Sequence, residues 1–188
     1  MPWWRRREAR ASRSEEPTKE NSTQETTSER VVDDPRLLIP TQEARRSSSQ
    51  VQPVTRHRIA ASLRRLKIRY LTDQNGNLLA MWERHAVLFA LEGPDDEILV
   101  IRARVYNTLP PEFADRAYAA FNEWNQTRRF LKAYVGEPTE RGNLSLYAEM
   151  QLPLVPGVHD ALLDELIDCG AAVASAWCDW LHDEVVLL

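Results

Sequence analysis

Cysteine is scarce in this 188-residue chain: only Cys169 and Cys178 occur. On one helix, nine residues correspond to about 900° of rotation, so the two thiols face opposite sides and cannot bridge. With no third cysteine, zinc-finger spacings are excluded, and a reducing, cytoplasmic setting fits. Six glycines leave little material for phosphate-cradling loops. No Gly-x-Ser-x-Gly elbow and no His-Glu-x-x-His helix is present. No apolar run approaches the roughly 18 residues of a membrane span. The opening Met-Pro-Trp-Trp-Arg-Arg-Arg lacks the apolar core of a secretory signal. The chain reads as soluble and intracellular.

Positive charge is missing from one region. From Gly142 onward there is no Lys or Arg and there are eight acids, whereas residues 54–141 hold fourteen basic and eleven acidic residues. Such asymmetry speaks to association rather than fold, and it argues against a nucleic-acid surface on the C-terminal third.

Residues 1–53 are rich in Ser, Thr, Glu, Arg and Pro without sustained periodicity, and read as a disordered tail ahead of an α+β domain over 54–188. Within the tail, Trp3-Trp4 followed by Arg5, Arg6 and Arg7 reads as an interfacial or docking peptide, as plain tail, or as a basic segment held near the acidic C-terminal third. Leu37-Leu38-Ile39 is a second apolar patch of open purpose.

From the N-cap candidate Thr55, Ile59, Leu63 and Leu66 mark one helical face, with Arg56, Arg58, Arg64 and Arg65 on the remainder, read as a solvated face. Three extended segments follow. Ile68 to Thr72 ends at Asp73-Gln74-Asn75-Gly76, a strong hairpin signal. Leu78 to about Leu91 is one segment, interrupted near Glu83-Arg84-His85 by a bend or bulge. Glu97 to Tyr106 sets Leu99, Ile101, Ala103 and Val105 on one face, and Ile98, Val100, Arg102 and Arg104 on the other. That second face starts apolar and needs a cover, either a helix or another subunit.

Pro110-Pro111 opens a second helix whose apolar stripe is Phe113, Ala117, Ala120, Phe121 and Trp124. Asn122 and Asn125 edge that stripe, placed to tie the helix end to the strand that starts near Phe130. A hairpin of Phe130–Val135 and Asn143–Leu152 follows, with Leu144, Leu146, Ala148 and Met150 as its buried set. A last helix from about His159 to Glu184 carries an apolar arc that includes Trp177 and Trp180, opposite an arc of acids. Gly170 lies in the apolar arc, which suggests close approach to the sheet. The expected architecture is α-β-β-β-α-β-β-α, with five antiparallel strands and helices packed on them.

Chemistry is thinly represented. His57, His85, His159 and His182 are scattered, and none has partners at metal-ligand spacing that a structural face would not equally explain. No catalytic residue, cofactor site or metal site is assigned, and the chain is expected not to be an enzyme.

Several residues together resemble the YbjN family of bacterial sensory-transduction regulators. They are Leu63-x-x-Leu66, Ile68-x-Tyr70 before Asp73-x-x-Gly76, Trp82, Glu97-Ile98-Leu99 before Arg102, Asn122-x-Trp124-Asn125, Lys132-Ala133-Tyr134-Val135, Glu149, and Gly157-x-x-Asp160-x-x-Leu163. Their form is most similar to the actinobacterial branch. Two positions depart from the pattern: Lys67 stands where a Gly often ends the first helix, and Leu131 where a Pro often precedes the Lys. The resemblance implies a fold similar to type III secretion chaperones, which are dimeric and bind extended partner segments. It also implies a non-enzymatic regulatory or protein-binding role, with a protein partner and a homodimer, and mainly structural roles for Trp82, Asn122, Trp124, Asn125, Lys132 and Tyr134. Ile98, Val100, Arg102, Trp177 and Trp180 are the candidate partner surface. The alternative is a small-ligand sensor with a pocket near Trp82, Trp124 and Tyr134.

Overall fold

A computed structural model describes residues 50–183. The expectations for the tail up to residue 49, including both of its apolar patches, lie outside the described residues. Helix α1 is Arg56–Arg65. Strands β1 (Leu71–Thr72), β2 (Leu78–Met81), β3 (His85–Glu92) and β4 (Ile98–Leu109) follow, then a 3-10 turn over Pro111–Phe113 and helix α2, Ala114–Thr127. Strands β5 (Lys132–Pro138) and β6 (Leu144–Pro153) precede helix α3, Asp160–Asp183.

The six strands form one antiparallel sheet in the order β1-β2-β3-β4-β6-β5. The expected count was five. The bend at Glu83-Arg84 is a complete reversal, in which Trp82 N–H donates to His85 O at 2.9 Å and Met81 pairs with Ala86. The reversal carries neither Gly nor Pro. It is held instead by the Trp82 and His85 rings, stacked at 5.1 Å and 3°.

Alternation along the strands divides the sheet into two faces. Val87, Phe89, Leu99, Ile101, Ala103, Val105, Leu146, Ala148 and Met150 are buried against the helices. Helix α3 crosses this face, close enough that a Cβ at Gly170 would stand 2.7 Å from Ile101 Cδ1. Helix α1 packs beside α3, and α2 packs beside β5. Phe121 and Trp124 of α2 meet Trp177 and Trp180 of α3 at ring-centroid distances of 6.2 and 5.1 Å.

The arginines of α1 are not merely solvated. Arg58 and Arg65 pair with Asp160 and Asp164 of α3 at 2.7 and 2.6 Å, and Arg56 pairs with Asp96 at 2.6 Å. The Arg58 guanidinium also donates to the carbonyls of Gln52, Pro53 and Val158. Gln52 and Val158 form an antiparallel bridge, so the chain is fastened to the domain from Gln52 onward. The basic first helix and the acidic last helix therefore neutralise each other within the fold.

The C-terminus of α1 accommodates the missing glycine. Lys67 adopts φ +60°, with Lys67 N–H on Arg64 O and Ile68 N–H on Leu63 O. This is the Schellman arrangement that glycine normally closes.

Candidate functional site

The face of the sheet opposite the helices is built by strand register. Residues directly opposite in paired strands point the same way. One row thus runs Leu71, Leu79, Leu88, Arg102, Glu149, Lys132, and the next runs Met81, Ala86, Arg104, Tyr147, Tyr134. In both rows the β1–β3 half is apolar and the β4–β6 half is charged or aromatic. Leu71 and Met81 are 63% and 57% exposed. Ala90 and Val100 pair with each other in a third row and are buried without belonging to the helix-facing core.

Glu149 anchors the polar half. It receives Arg102 Nε, Tyr134 Oη at 3.2 Å and Gln151 Nε2, and Arg102 reaches on to Glu92 at 3.3 Å. Burial opposes the Glu149 charge, but donation from Arg102 and Gln151 outweighs it and holds the carboxyl below its ordinary range. Burial, then the Glu149 charge, pushes the Tyr134 hydroxyl up to about 12. Tyr134 stacks on Tyr147 at 5.4 Å, and Arg104 lies over the Tyr147 ring at 5.9 Å.

At the end of β5 lies an open cavity of about 430 Å³. Phe130, Lys132 and Tyr134 form one side and residues 149–152 of β6 the other.

The candidate residues distribute as follows. Ile98, Val100 and Arg102 lie on the face opposite helices α1–α3. Trp177 and Trp180 do not: they are 0% and 7% exposed and belong to the core, because α2 covers the side of α3 that carries them. Nor do Trp82, Trp124 and Tyr134 enclose one pocket. Trp82 stacks on His85, Trp124 packs on Trp180 and donates Nε1 to Leu131 O at 3.1 Å, and Tyr134 stacks on Tyr147. Of the asparagine pair, Asn125 alone fastens β5. Asn122 is exposed. Lys132 Nζ donates to Asn125 O at 2.9 Å.

One juxtaposition had no signal in the sequence. Ser175 Oγ stands 3.5 Å from His85 Nε2, with Asp179 one helical turn further along α3. The Ser175 hydroxyl donates to Ala171 O at 3.2 Å, and burial pushes the His85 pKa down against the opposing Asp179 charge. Among the described residues no three His, Cys, Asp or Glu converge as metal ligands. Among them, too, no helix is long and apolar enough to cross a membrane.

The YbjN family model, described as "putative bacterial sensory transduction regulator", matches residues 55–183. The chain belongs to the YbjN family. The solved structures include YbjN from E. coli, described as a putative transcription regulator. It matches with a TM-score of 0.58 and 11% identity, covering 70% of this chain and 94% of that chain. At that identity the likeness establishes a shared fold. No curated protein matches the sequence. The match begins at the N-cap of α1 and ends with the last residue of α3, so it spans every helix and strand named above.

Proposed function

We propose that this YbjN-family chain is a non-enzymatic regulatory module that works by binding protein, with the sheet face opposite helices α1–α3 as its principal surface. The apolar β1–β3 half of that face carries the proposal: an exposed apolar patch bordered by polar groups is the usual mark of a protein-interaction site. A homodimer fits the same surface, since Leu71, Met81 and Leu88 can meet their own copies across a two-fold axis while Arg102 and Glu149 border the contact. A regulatory rather than catalytic role is favoured by the Ser175–His85 pair, whose hydroxyl hydrogen is committed to a backbone carbonyl. The motif forms resemble the actinobacterial branch, and a cytoplasmic setting suits two buried thiols.

Light scattering on the full chain tests the surface. The expected mass is twice the 21.7 kDa of one chain. Leu88→Arg should return it to one chain with unchanged circular dichroism. A wild-type monomer, or a dimer indifferent to Leu88→Arg, removes the dimer from the proposal.

A further inference from the structure

Sheet pairing stops early on one side of β6. On the β4 side it runs through Pro153, opposite Ile98. On the β5 side it ends at Glu149, opposite Lys132, so, among the described residues, 150–153 have no strand partner there. Leu154 N–H donates to Glu97 O at 2.9 Å, so even-numbered residues at this end of β6 turn their backbone groups toward β4. By alternation, the N–H and C=O of Gln151 point to the open side.

The cavity at the end of β5 occupies this gap. Four consecutive residues of β6 line it. Consecutive side chains point to opposite faces of a sheet, so a pocket above one face would not meet all four; the cavity lies along the strand edge itself.

Phe130 forms its lip. Leu131 N–H donates to Arg129 O at 3.2 Å, closing a three-residue turn with Phe130 at its apex, φ +73°. A side chain in this backbone region costs about 1 kcal/mol or more that glycine would avoid. Yet the position holds an aromatic ring that is 50% exposed. Strain spent on a half-solvated ring beside an open strand edge is a mark of a binding site. Lys132 lines the cavity, Arg128 and Arg129 precede Phe130 in the chain, and the carboxylate of Glu149 is already held by Arg102, so the net charge of this segment favours an acidic partner.

We infer that the β6 edge at Gln151 is a strand-pairing slot for an acidic extended segment of a partner protein. The segment continues the line of β5, pairs its backbone with Gln151, and places an apolar side chain against Phe130. The inference rests on the protein-binding reading above but not on the dimer.

Fluorescence anisotropy on the full chain tests it with three labelled octapeptides. The first alternates Val and Glu, the second replaces every Glu by Lys, and the third is the acidic peptide N-methylated at alternate residues. The acidic peptide should bind about tenfold more tightly than the Lys peptide, and N-methylation should weaken it about fivefold or more. Gln151→Pro removes an N–H that none of β1–β6 uses, and should cost about tenfold in binding with the fold intact. Phe130→Gly should weaken binding without lowering the melting temperature, which a purely structural aromatic would not do; it decides the matter if Gln151→Pro does not fold. Absence of saturable binding, equal binding of the plain and N-methylated acidic peptides, or full binding by both variants overturns the slot. Light scattering on the same samples separates its failure from that of the sheet-face surface, because neither variant touches Leu88.

Discussion

The side-chain amide of Asn125 closes a two-bond ring on the backbone of Ala133: Oδ1 accepts Ala133 N–H at 2.8 Å and Nδ2 donates to Ala133 O at 3.0 Å. An asparagine at the end of α2 thus plays the part of a strand neighbour for edge strand β5. It leaves less backbone there for unwanted pairing.

Losing that ring strands a buried donor and acceptor. Asn125→Ala should destabilise the domain by about 2 kcal/mol, read as a lowered denaturant midpoint with unchanged slope. Asn122→Ala, on the exposed side, should stay within about 0.5 kcal/mol. Equal effects would mean that the amide is not the fastening.

Lys67 pays a conformational penalty at the C-terminus of α1. Lys67→Gly should stabilise the domain by about 1 kcal/mol, because every hydrogen bond of the turn is backbone to backbone. A fall in melting temperature would show instead that the Lys67 side chain holds something in place.

Gly170 marks the closest approach of α3 to the sheet. Gly170→Ala gains helix propensity of about 1 kcal/mol, but the new methyl collides with Ile101. Overpacking of about 1–3 kcal/mol should win. Ile101→Val removes the Cδ1 atom in the way, so the double variant should recover part of the loss. A simple sum of the two single effects would place the strain elsewhere.

These positions show what the sequence could and could not disclose. The helix faces, the Asn75-Gly76 hairpin and the alternation in β4 and β6 follow from local periodicity and are legible, except at Phe113, which is expected in the apolar stripe of α2 but lies in the 3-10 turn before it and is 43% exposed. The Glu83-Arg84 reversal is not, because its turn residues carry no Gly or Pro and its hold is the Trp82–His85 stack formed across the turn. Trp177 and Trp180 illustrate a second gap. Their place on an apolar arc tells that they are covered but not by what, and α2 turned out to be the cover. The Phe130 turn has no sequence signature, since a residue other than glycine occupies a backbone that favours glycine. The Ser175–His85 contact spans ninety positions, beyond any local pattern. The arginine face of α1 was legible as charge, but its acidic partners on α3 become visible only when the two helices are side by side.

Tyr134 should ionise later than an ordinary phenol. Its folded pKa is raised from 10.0 to about 12, so the folded state holds the phenol proton more tightly than the unfolded chain. The associated stability is fully present below pH 10 and drains away as pH rises through about 12. Phenolate absorbance should show a late-titrating group that disappears in Tyr134→Phe; an unchanged late phase would assign it to another tyrosine.

His85 acts at the opposite limb. Burial at the start of β3 lowers its pKa from 6.5, so below that pH the unfolded chain binds a proton that the folded domain resists. Its stabilising contribution is therefore present above pH 6.5 and lost as pH falls toward the folded value. Three groups face the ring: Trp82 stacks on it, Ser175 lies at its Nε2, and Asp179 opposes the shift by favouring the cation. The melting temperature of the wild type should fall as pH drops from about 6.5 to 5, and His85→Gln should flatten that slope even if it lowers the whole curve. Removing the Asp179 charge with Asp179→Asn should steepen the wild-type slope, because the cation then loses its one favourable neighbour. A His85→Gln variant with the wild-type slope between those pH values would remove this ring as the source of the acid sensitivity; Glu149 and Asp164 cannot supply it there, because their lowered pKa values place their loss at more acidic pH.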